Sequence, residues 1–188
     1  MRKPIKAYLI TEPTLYPKTP LKFHDFYARI LEGHSIHFAA YRDKDSDFNP
    51  ALIEIFLNLN QKHRIVSLLN SNLDLAIQFG FDGVHCNGSQ MQQIRIAKKK
   101  LPYVFFSAHS LQEIQEANQQ GANGITISPI FATPNKGTPL GVDFLNTLEP
   151  QEFSAEIFAL GGIISQTQIQ KLSTTKIKNF ASIRYFLN

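Results

Sequence analysis

A loop rich in hydroxyl groups and turn residues, with one lysine, is the stretch of sequence best suited to bind an anion. It spans residues 128–141, follows the apolar run 124–127 and precedes a helix predicted at 142–149. Hydroxyl groups, free backbone N–H groups and a cation beyond the carboxyl end of a strand suit a phosphate. The same composition is also typical of a long surface loop, and composition alone leaves both interpretations open.

Alternating apolar and amphipathic segments indicate how this loop is positioned. Strands are predicted at 7–11, 35–41, 64–69, 83–86, 103–106, 124–127, 156–160 and 178–183. Nearly continuous apolar strands separated by helices indicate a parallel sheet, and a count of eight indicates a closed barrel. We therefore predict one compact (β/α)8 TIM barrel domain over residues 1–188. Its eighth helix, at 184–188, is expected to be cut to about one turn or to be absent.

In such a barrel, the residues at the carboxyl ends of the strands form the functional site. This rule gathers Arg42, Lys44, Asn70, His85, Ser107, His109, Thr133, Asn135, Lys136, Gly161 and Gly162 at one mouth. The set holds three cations and no acid, which favours an anionic ligand. The two adjacent glycines allow the backbone N–H groups to approach a phosphate monoester closely.

The cations after the second strand have a second interpretation. Arg42 and Lys44 alternate with Asp43 and Asp45, which is also typical of a solvated turn of mixed charge.

The two histidines and the asparagine also have structural interpretations. His85 lies between apolar residues, so a core histidine with a backbone partner is the alternative to a catalytic one. His109 lies just before a helix and is also compatible with a hydrogen-bonding spacer. Asn70 is also compatible with a cap for the helix that starts near Asn72, and Ser89 is predicted to cap a helix that runs to Lys98 with Met91, Ile94 and Ile96 inward.

Bulk composition narrows the class of protein. The 188 residues carry a formal net charge of +4, one cysteine and 43% hydrophobic residues. No apolar run approaches the ~20 residues of a membrane span, and no signal core follows the basic start of the chain. A single cysteine forms no internal disulfide, so we expect a cytoplasmic protein. No basic cluster with base-reading groups is present, so we expect neither nucleic acid nor a membrane as partner, while a homo-oligomer stays open.

The loop residues Ser128-Pro129-Ile130-Phe131, together with further motifs along the chain, resemble the thiamine phosphate synthase/TenI family. The loop pattern S-P-I-F-x-T-x-x-K followed by P-L-G is similar to the loop after the family's sixth strand. Further matches, in the family's order, are Tyr8-Leu9-Ile10-Thr11, Arg42-Asp43-Lys44, Asn70 with Asp74-Leu75-Ala76, Asp82-Gly83-Val84-His85, Ser107-Ala108-His109-Ser110, Gly121-Ala122-Asn123 and Ala159-Leu160-Gly161-Gly162-Ile163. Together they cover the chain from about residue 7 to about residue 183.

The resemblance implies a transferase that joins an aminopyrimidine diphosphate to a thiazole phosphate and releases diphosphate. The residues that match diphosphate-holding positions are Arg42, Lys44, Ser107 and Lys136. The residues that match other substrate positions are Asn70 for the pyrimidine, Thr133 and Asn135 for the thiazole end, and Gly161, Gly162 and Ser182 around the thiazole phosphate.

Departures from the family pattern leave three hypotheses open. Ser71 and Gln90 stand where the family has its magnesium aspartates, so Mg²⁺ is expected only through substrate diphosphate and water, with no protein metal site. Ala40 replaces a glutamine, and Asn135 replaces a threonine. TenI is a thiazole tautomerase that lacks these aspartates, but its catalytic histidine is matched here by Pro129. The third hypothesis is a barrel that binds thiazole phosphate or thiamine phosphate without catalysis.

Overall fold

Eight parallel strands form a closed barrel in the computed structural model, which describes residues 4–43 and 48–188. The strands are β1 (Ala7–Ile10), β2 (Phe38–Tyr41), β3 (Val66–Asn70), β4 (Gly83–Cys86), β5 (Tyr103–Ala108), β6 (Gly124–Ile127), β7 (Glu156–Ala159) and β8 (Phe180–Ser182). They pair in chain order, and β8 closes the ring by pairing with β1. The predicted (β/α)8 barrel is confirmed.

Helices follow the strands and cover the outside of the barrel. They are α1 (Pro20–Gly33), α2 (Pro50–His63), α3 (Leu73–Phe79), α4 (Gln93–Lys98), α5 (Leu111–Gln120), α6 (Gly141–Thr147) and α7 (Gln166–Ser173). After β8 the chain forms only a 3₁₀ turn, Tyr185–Leu187. The eighth helix is therefore reduced to about one turn, as predicted.

Aromatic side chains fill the inside of the barrel below its mouth. Because side chains alternate along a strand, Tyr8 faces the interior while Leu9 packs outward against the helices. Tyr8, Phe38, Phe105 and Phe158 pack edge to face or tilted, and the rings of Phe38 and Phe105 lie 5.0 Å apart between centroids. This layer gives the mouth a solid floor.

The barrel is closed where the first strand, β1, pairs with the last strand, β8. The backbone N–H of Lys6 donates to Asn179 Oδ1 at 3.0 Å, a bond between residues 173 positions apart. Ala7, Tyr8 and Leu9 pair in register with Phe180, Ala181 and Ser182. Closure of the barrel therefore depends on contacts that are very distant in sequence.

The fourth helix differs from its prediction. Asn87, not Ser89, is the capping residue: its side chain accepts from Ser89 N, and it opens the 3₁₀ turn Gly88–Gln90. The α-helix begins only at Gln93. Ile94 is fully buried, but Ile96 is 53% exposed, so the prediction that both face inward was wrong for Ile96.

Several other boundaries also shift, among them the start of the strand predicted at 35–41, which begins at Phe38. The predicted strand 178–183 is reduced to Phe180–Ser182, and the helix predicted at 142–149 is Gly141–Thr147. The cap of α3 is Asn72, whose Oδ1 accepts from Leu75 N at 3.0 Å. The interpretation of Asn70 as that cap was therefore wrong; Asn70 lines the mouth, and its Nδ2 donates to Ser71 Oγ.

Candidate functional site

Two adjoining cavities open at the carboxyl ends of the strands. We call the first the central cavity; it measures about 530 Å³, and the predicted residues that line it are Arg42, Asn70, His85, Ser107, His109, Thr133, Lys136 and Gly161. We call the second the side cavity; it measures about 700 Å³, and the predicted residues that line it are Thr133, Asn135, Gly161, Gly162 and Ser182. Thr133, Leu160, Gly161 and Ile183 line both, so the cavities share a wall. Lys44 lies outside the described residues.

Arg42 is held at the central cavity by the loop after β1. Its backbone N–H donates to Thr11 Oγ1 at 2.9 Å. Its guanidinium forms an ion pair with Glu12, and the two side chains are only 19% and 16% exposed. The predicted set contained no acid, but Glu12 lines the side cavity and Asp43 lines the central cavity. Glu12 lies two residues after the end of β1, so the strand-end rule contained the signal that would have found it.

His85 lies on the floor of the central cavity with two hydroxyl partners. Its Nδ1 lies 2.5 Å from the Tyr8 hydroxyl, and its Nε2 lies 2.9 Å from Ser107 Oγ. The expected backbone partner was therefore wrong, although the residue is buried as that interpretation required. Burial, with a smaller contribution from the Arg42 charge, lowers the pKa of His85 to about 3. His85 is thus a neutral group near pH 7 that orients Ser107, not a proton carrier.

Ser71 and Gln90, which the sequence resemblance matches to the magnesium-aspartate positions of the family, are in direct contact. Gln90 Nε2 donates to the backbone carbonyl of Ser71 at 3.0 Å. Ser71 Oγ accepts from Asn70 Nδ2 at 2.9 Å and from Asn87 Nδ2 at 3.2 Å. The fold therefore brings Ser71 and Gln90 together. They form a neutral cluster in which amide and hydroxyl groups bond to one another.

This neutral cluster does not fit a protein-bound magnesium ion. Mg²⁺ is a hard cation that is held in proteins by carboxylates, and Ser71 and Gln90 supply none. Among residues 4–43 and 48–188, no three His, Cys, Asp or Glu side chains are grouped as a metal site requires. No chemical step at this mouth is therefore assigned to a metal held by the protein.

The loop after β6 carries its polar groups across both cavities. Thr133 Oγ1 donates to the carbonyl of Phe131 at 3.0 Å, which fixes this threonine between the cavities. Asn135 adopts φ 60° and lies at the side cavity. Lys136 is exposed at the central cavity, and no residue in the described ranges accepts a hydrogen bond from its ammonium group. Its charge is therefore available to an anionic ligand.

His109 lies beside the same loop. Its Nδ1 lies 2.8 Å from the carbonyl oxygen of Ser128. Since a carbonyl only accepts, Nδ1 carries the proton, and Nε2 is free to accept one in the neutral ring. This places an imidazole next to Pro129, the position at which the resemblance to TenI lacks its histidine.

The turn after β7 holds the loop after β6 and leaves backbone donors at the side cavity. Gly161 and Gly162 adopt φ 97° and 67°, and a Cβ on Gly162 would lie 2.6 Å from the carbonyl oxygen of Ala132. Only glycine fits both the backbone angle and the space. Within the part of the chain that the structure describes, the N–H groups of Gly161, Gly162 and Ile183 have no acceptor. Three donors thus remain for an anion.

Ser182 positions this wall through its hydroxyl group. Its Oγ donates to the carbonyl of Ile163 at 2.7 Å and accepts from the backbone N–H groups of Arg184 and Tyr185 at 3.1 and 3.0 Å. The side chain is buried. Ser182 therefore ties the segment after β8 to the loop after β7, and Arg184, which sequence reasoning missed, lines the cavity beside it.

Comparison with known proteins assigns this arrangement to a family. The family described as thiamine monophosphate synthase matches residues 7–186. The thiamine-phosphate synthase of Prochlorococcus marinus is 33% identical over 150 residues, which cover 76% of this chain and 42% of that protein. That of Lysinibacillus sphaericus is 37% identical over 110 residues, covering 56% of this chain and 51% of that protein. The chain thus spans about half the length of these relatives.

Two further comparisons extend over nearly the whole chain. The thiamine-phosphate synthase of Clostridium acetobutylicum is 27% identical over 193 aligned positions, which cover 97% of this chain and 87% of that protein. The solved structure of a thiamine phosphate pyrophosphorylase from Pyrococcus furiosus superposes with a TM-score of 0.78 at 21% identity, over 95% of this chain and 85% of that chain. At that identity the structure supports the barrel fold alone. With the family match over residues 7–186, the chain belongs to the thiamine monophosphate synthase family.

Proposed function

We propose that this protein is a transferase that joins an aminopyrimidine diphosphate to a thiazole phosphate to form thiamine phosphate. The observation that carries the proposal is the continuity of the two cavities through Thr133, Leu160, Gly161 and Ile183. Arg42 and Lys136 at the central cavity suit a diphosphate, and a backbone cradle in the side cavity suits a phosphate monoester. Family membership and the names of the relatives support the same reaction.

The reaction exchanges one bond for another. The bond between the pyrimidine methylene carbon and the diphosphate oxygen breaks, and its electron pair leaves with diphosphate. The lone pair of the thiazole nitrogen then forms the new carbon–nitrogen bond. No proton needs to move in these two steps, so the protein acts mainly by holding the leaving group and aligning the thiazole.

Each predicted residue has a place in this scheme. Lys136 approaches the leaving diphosphate from the loop after β6, and Arg42 approaches it from the end of β2. Ser107, oriented by His85, supplies a hydroxyl between them. The remaining assignments are Lys44 with the diphosphate, Asn70 with the pyrimidine, Thr133 and Asn135 with the thiazole, Gly161 and Gly162 with its phosphate, and Ser182 as the residue that positions the phosphate wall.

The proposal also includes a setting for the protein. Residues 1–188 act as one barrel domain in the cytoplasm, where the lone Cys86 stays reduced. The ligands are phosphorylated small molecules, without nucleic acid or membrane as partner. No helix in the described ranges is long and apolar enough to cross a membrane.

A barrel that binds thiazole phosphate or thiamine phosphate without catalysis is the second candidate. The neutral contact between Ser71 and Gln90 favours it, because the carboxylates that anchor a metal in the family are replaced. The pairing of Glu12 with Arg42 favours it as well, because it neutralises part of the charge at the leaving-group position. A thiazole tautomerase is the third candidate, and in that case His109 would be the proton carrier.

The test is formation of thiamine phosphate from the two substrates, with Mg²⁺ and with EDTA. Lys136→Ala is the active-site variant and Lys171→Ala, at an exposed position of α7 away from both cavities, is its control. We expect turnover in the parent, and a fall of about 100-fold in both kcat and kcat/KM for Lys136→Ala only, because its contact strengthens as the leaving group gains charge.

Two results would replace this proposal. Tight binding of thiamine phosphate without turnover at any Mg²⁺ concentration would establish the binder. Exchange of protons on the thiazole without coupling, lost in His109→Gln, would establish the tautomerase.

A further inference from the structure

The segment after β8 is fastened to the loop after β7 by one buried hydroxyl group. Ser182 Oγ donates to the Ile163 carbonyl and accepts from the N–H groups of Arg184 and Tyr185. The backbone of Arg184 is therefore fixed two residues beyond β8, on the side of the barrel where Gly161 and Gly162 leave their N–H groups unpaired.

Two further side-chain bonds fasten the same segment. Tyr185 Oη donates to Gln166 Oε1 at 3.0 Å, and Asn188 Nδ2 donates to the carbonyl of Ile164 at 2.6 Å. The short turn Tyr185–Leu187 is thus held against the start of α7 rather than packed as a full helix. This brings Arg184 to the rim of the side cavity instead of to the outer surface of the barrel.

Arg184 is the unpaired charge of this cavity among the described residues. The charged side chains that line it are Glu12 and Arg184, and Glu12 is paired with Arg42. No described residue accepts a hydrogen bond from the Arg184 guanidinium, and no described acid forms an ion pair with it. The cavity therefore presents a positive group next to the three unpaired backbone donors.

We propose that Arg184 is a specificity-determining residue that binds the phosphate group of the ligand in the side cavity. The backbone N–H groups of Gly161, Gly162 and Ile183 hold the phosphate from one side, and the guanidinium binds it from the open side. A planar guanidinium makes two parallel bonds to phosphate oxygens, which a lysine does not. The inference rests on the proposed function in one respect, namely that a phosphorylated ligand occupies the side cavity.

The experiment compares two ligands on four proteins by isothermal titration. The ligands are thiazole phosphate and the corresponding thiazole alcohol; the proteins are the parent, Arg184→Gln, Arg184→Lys and Arg95→Gln. Arg95 is an exposed arginine of α4 that lines neither cavity, so its variant is the matched control. We expect Arg184→Gln to weaken thiazole phosphate binding by about 10- to 100-fold and to leave the alcohol unchanged. Arg184→Lys restores part of the loss, and Arg95→Gln binds like the parent.

Three results would overturn the inference. One is an unchanged affinity of Arg184→Gln for thiazole phosphate; another is an equal loss for both ligands, which shows a structural role. The third is a parent that binds both ligands equally, which removes the phosphate from the side cavity.

Product formation, measured separately, tells this inference from the proposed function. If the parent forms product and Arg184→Gln binds thiazole phosphate as tightly as the parent, only the role of Arg184 is rejected. If the parent prefers thiazole phosphate to the alcohol, loses this preference in Arg184→Gln and forms no product, only the transferase activity is rejected.

Discussion

The two cavities of the mouth are built in different ways. The side cavity owes its donors to backbone: two glycines at positive φ and a wall fixed by the Ser182 hydroxyl. The central cavity owes its groups to side chains, and several of them bond to one another, as His85 does with Ser107 and Asn70 with Ser71. The side cavity thus keeps open backbone donors, while several polar side chains of the central cavity already have hydrogen-bond partners within the protein.

This difference shows which parts of a binding site depend on single side chains. A backbone cradle requires glycine and a particular turn, so few substitutions preserve it. A side-chain site such as the Ser71 and Gln90 cluster, by contrast, changes its charge with one substitution that leaves the backbone in place. We therefore expect binding of the phosphate monoester to depend on the backbone, and chemistry on the diphosphate to depend on a few exchangeable side chains.

The largest expected effect is the loss of the backbone cradle in Gly162→Ala. The added Cβ would lie 2.6 Å from the Ala132 carbonyl oxygen and strain a φ of 67°. We expect affinity for thiazole phosphate to fall about 100-fold, because the N–H donors move out of line. The measurement is isothermal titration.

Its control is Gly80→Ala at the end of α3, which has φ 76° with no atom within 4 Å of the new Cβ. That variant should lose about 1 kcal/mol of stability and keep its affinity. Equal losses of affinity in the two variants would contradict a local cradle.

The next effect concerns the floor of the central cavity in acid. The folded-state pKa of His85 is lowered to about 3, below its ordinary value of 6.5. Between pH 6.5 and about pH 3 the unfolded chain therefore binds more protons than the folded protein, and the free energy of unfolding falls as the pH drops through this range. Between about pH 6.5 and about pH 5 this contributes about 2 kcal/mol to the fall.

Urea unfolding at several pH values measures this effect. In His85→Gln, which does not titrate, the slope of the free energy of unfolding against pH should be smaller by about one proton. Identical slopes in parent and variant would show that His85 does not stay neutral in the folded protein.

A smaller effect is expected from adding charge to the neutral cluster. Ser71→Asp with Gln90→Asp places two carboxylates at positions that are already in contact. Aspartate tolerates the φ of 62° that Ser71 adopts. We expect thiamine phosphate formation to rise about tenfold with Mg²⁺ and not to rise with EDTA, since the gain requires a metal.

The matched control for that pair is Ser71→Asn with Gln90→Asn, which has the same shape without the charge. A gain in the asparagine pair, or a gain in EDTA, would contradict a metal-based effect.

The smallest effect is expected from Glu12→Gln. Removing this carboxylate frees the Arg42 guanidinium, so inorganic diphosphate should bind about threefold more tightly at low salt. The measurement is diphosphate titration, with Glu116→Gln in α5 as a charge-matched control away from the mouth. Weaker diphosphate binding in Glu12→Gln would show that Glu12 orients Arg42 instead of competing for it.

The barrel and the placement of most candidates were predictable from local patterns. Short apolar runs such as Gly124–Ile127 set the strands, and the strand-end rule then placed Ser107 and Lys136 at one mouth. The double glycine was recognisable because adjacent glycines after a strand indicate a turn at positive φ, which Gly161 and Gly162 adopt. These features depend on residue type and order alone.

Side-chain pairing was not predictable in the same way. The partners of His85 come from β1 and β5, and the partner of Arg42 lies 30 positions earlier in the chain. Both Asn87 and Ser89 are good capping residues, and only the local turn decides between them. Such choices depend on three-dimensional proximity, which one sequence does not record.

The join between β1 and β8 has a consequence for how the protein reaches its folded state. A contact such as that of Lys6 with Asn179 closes a loop of nearly the whole chain, which costs chain entropy before any contact offsets it. One wall of the side cavity follows β7 and the other follows β8, so the cradle exists only when the ring is shut. A ligand held there binds the shut ring alone, and at a hundred times its Kd it stabilises that state by about 2.7 kcal/mol. Occupancy of the side cavity and closure of the barrel are therefore linked, so a ligand that binds there opposes opening of the β1–β8 seam.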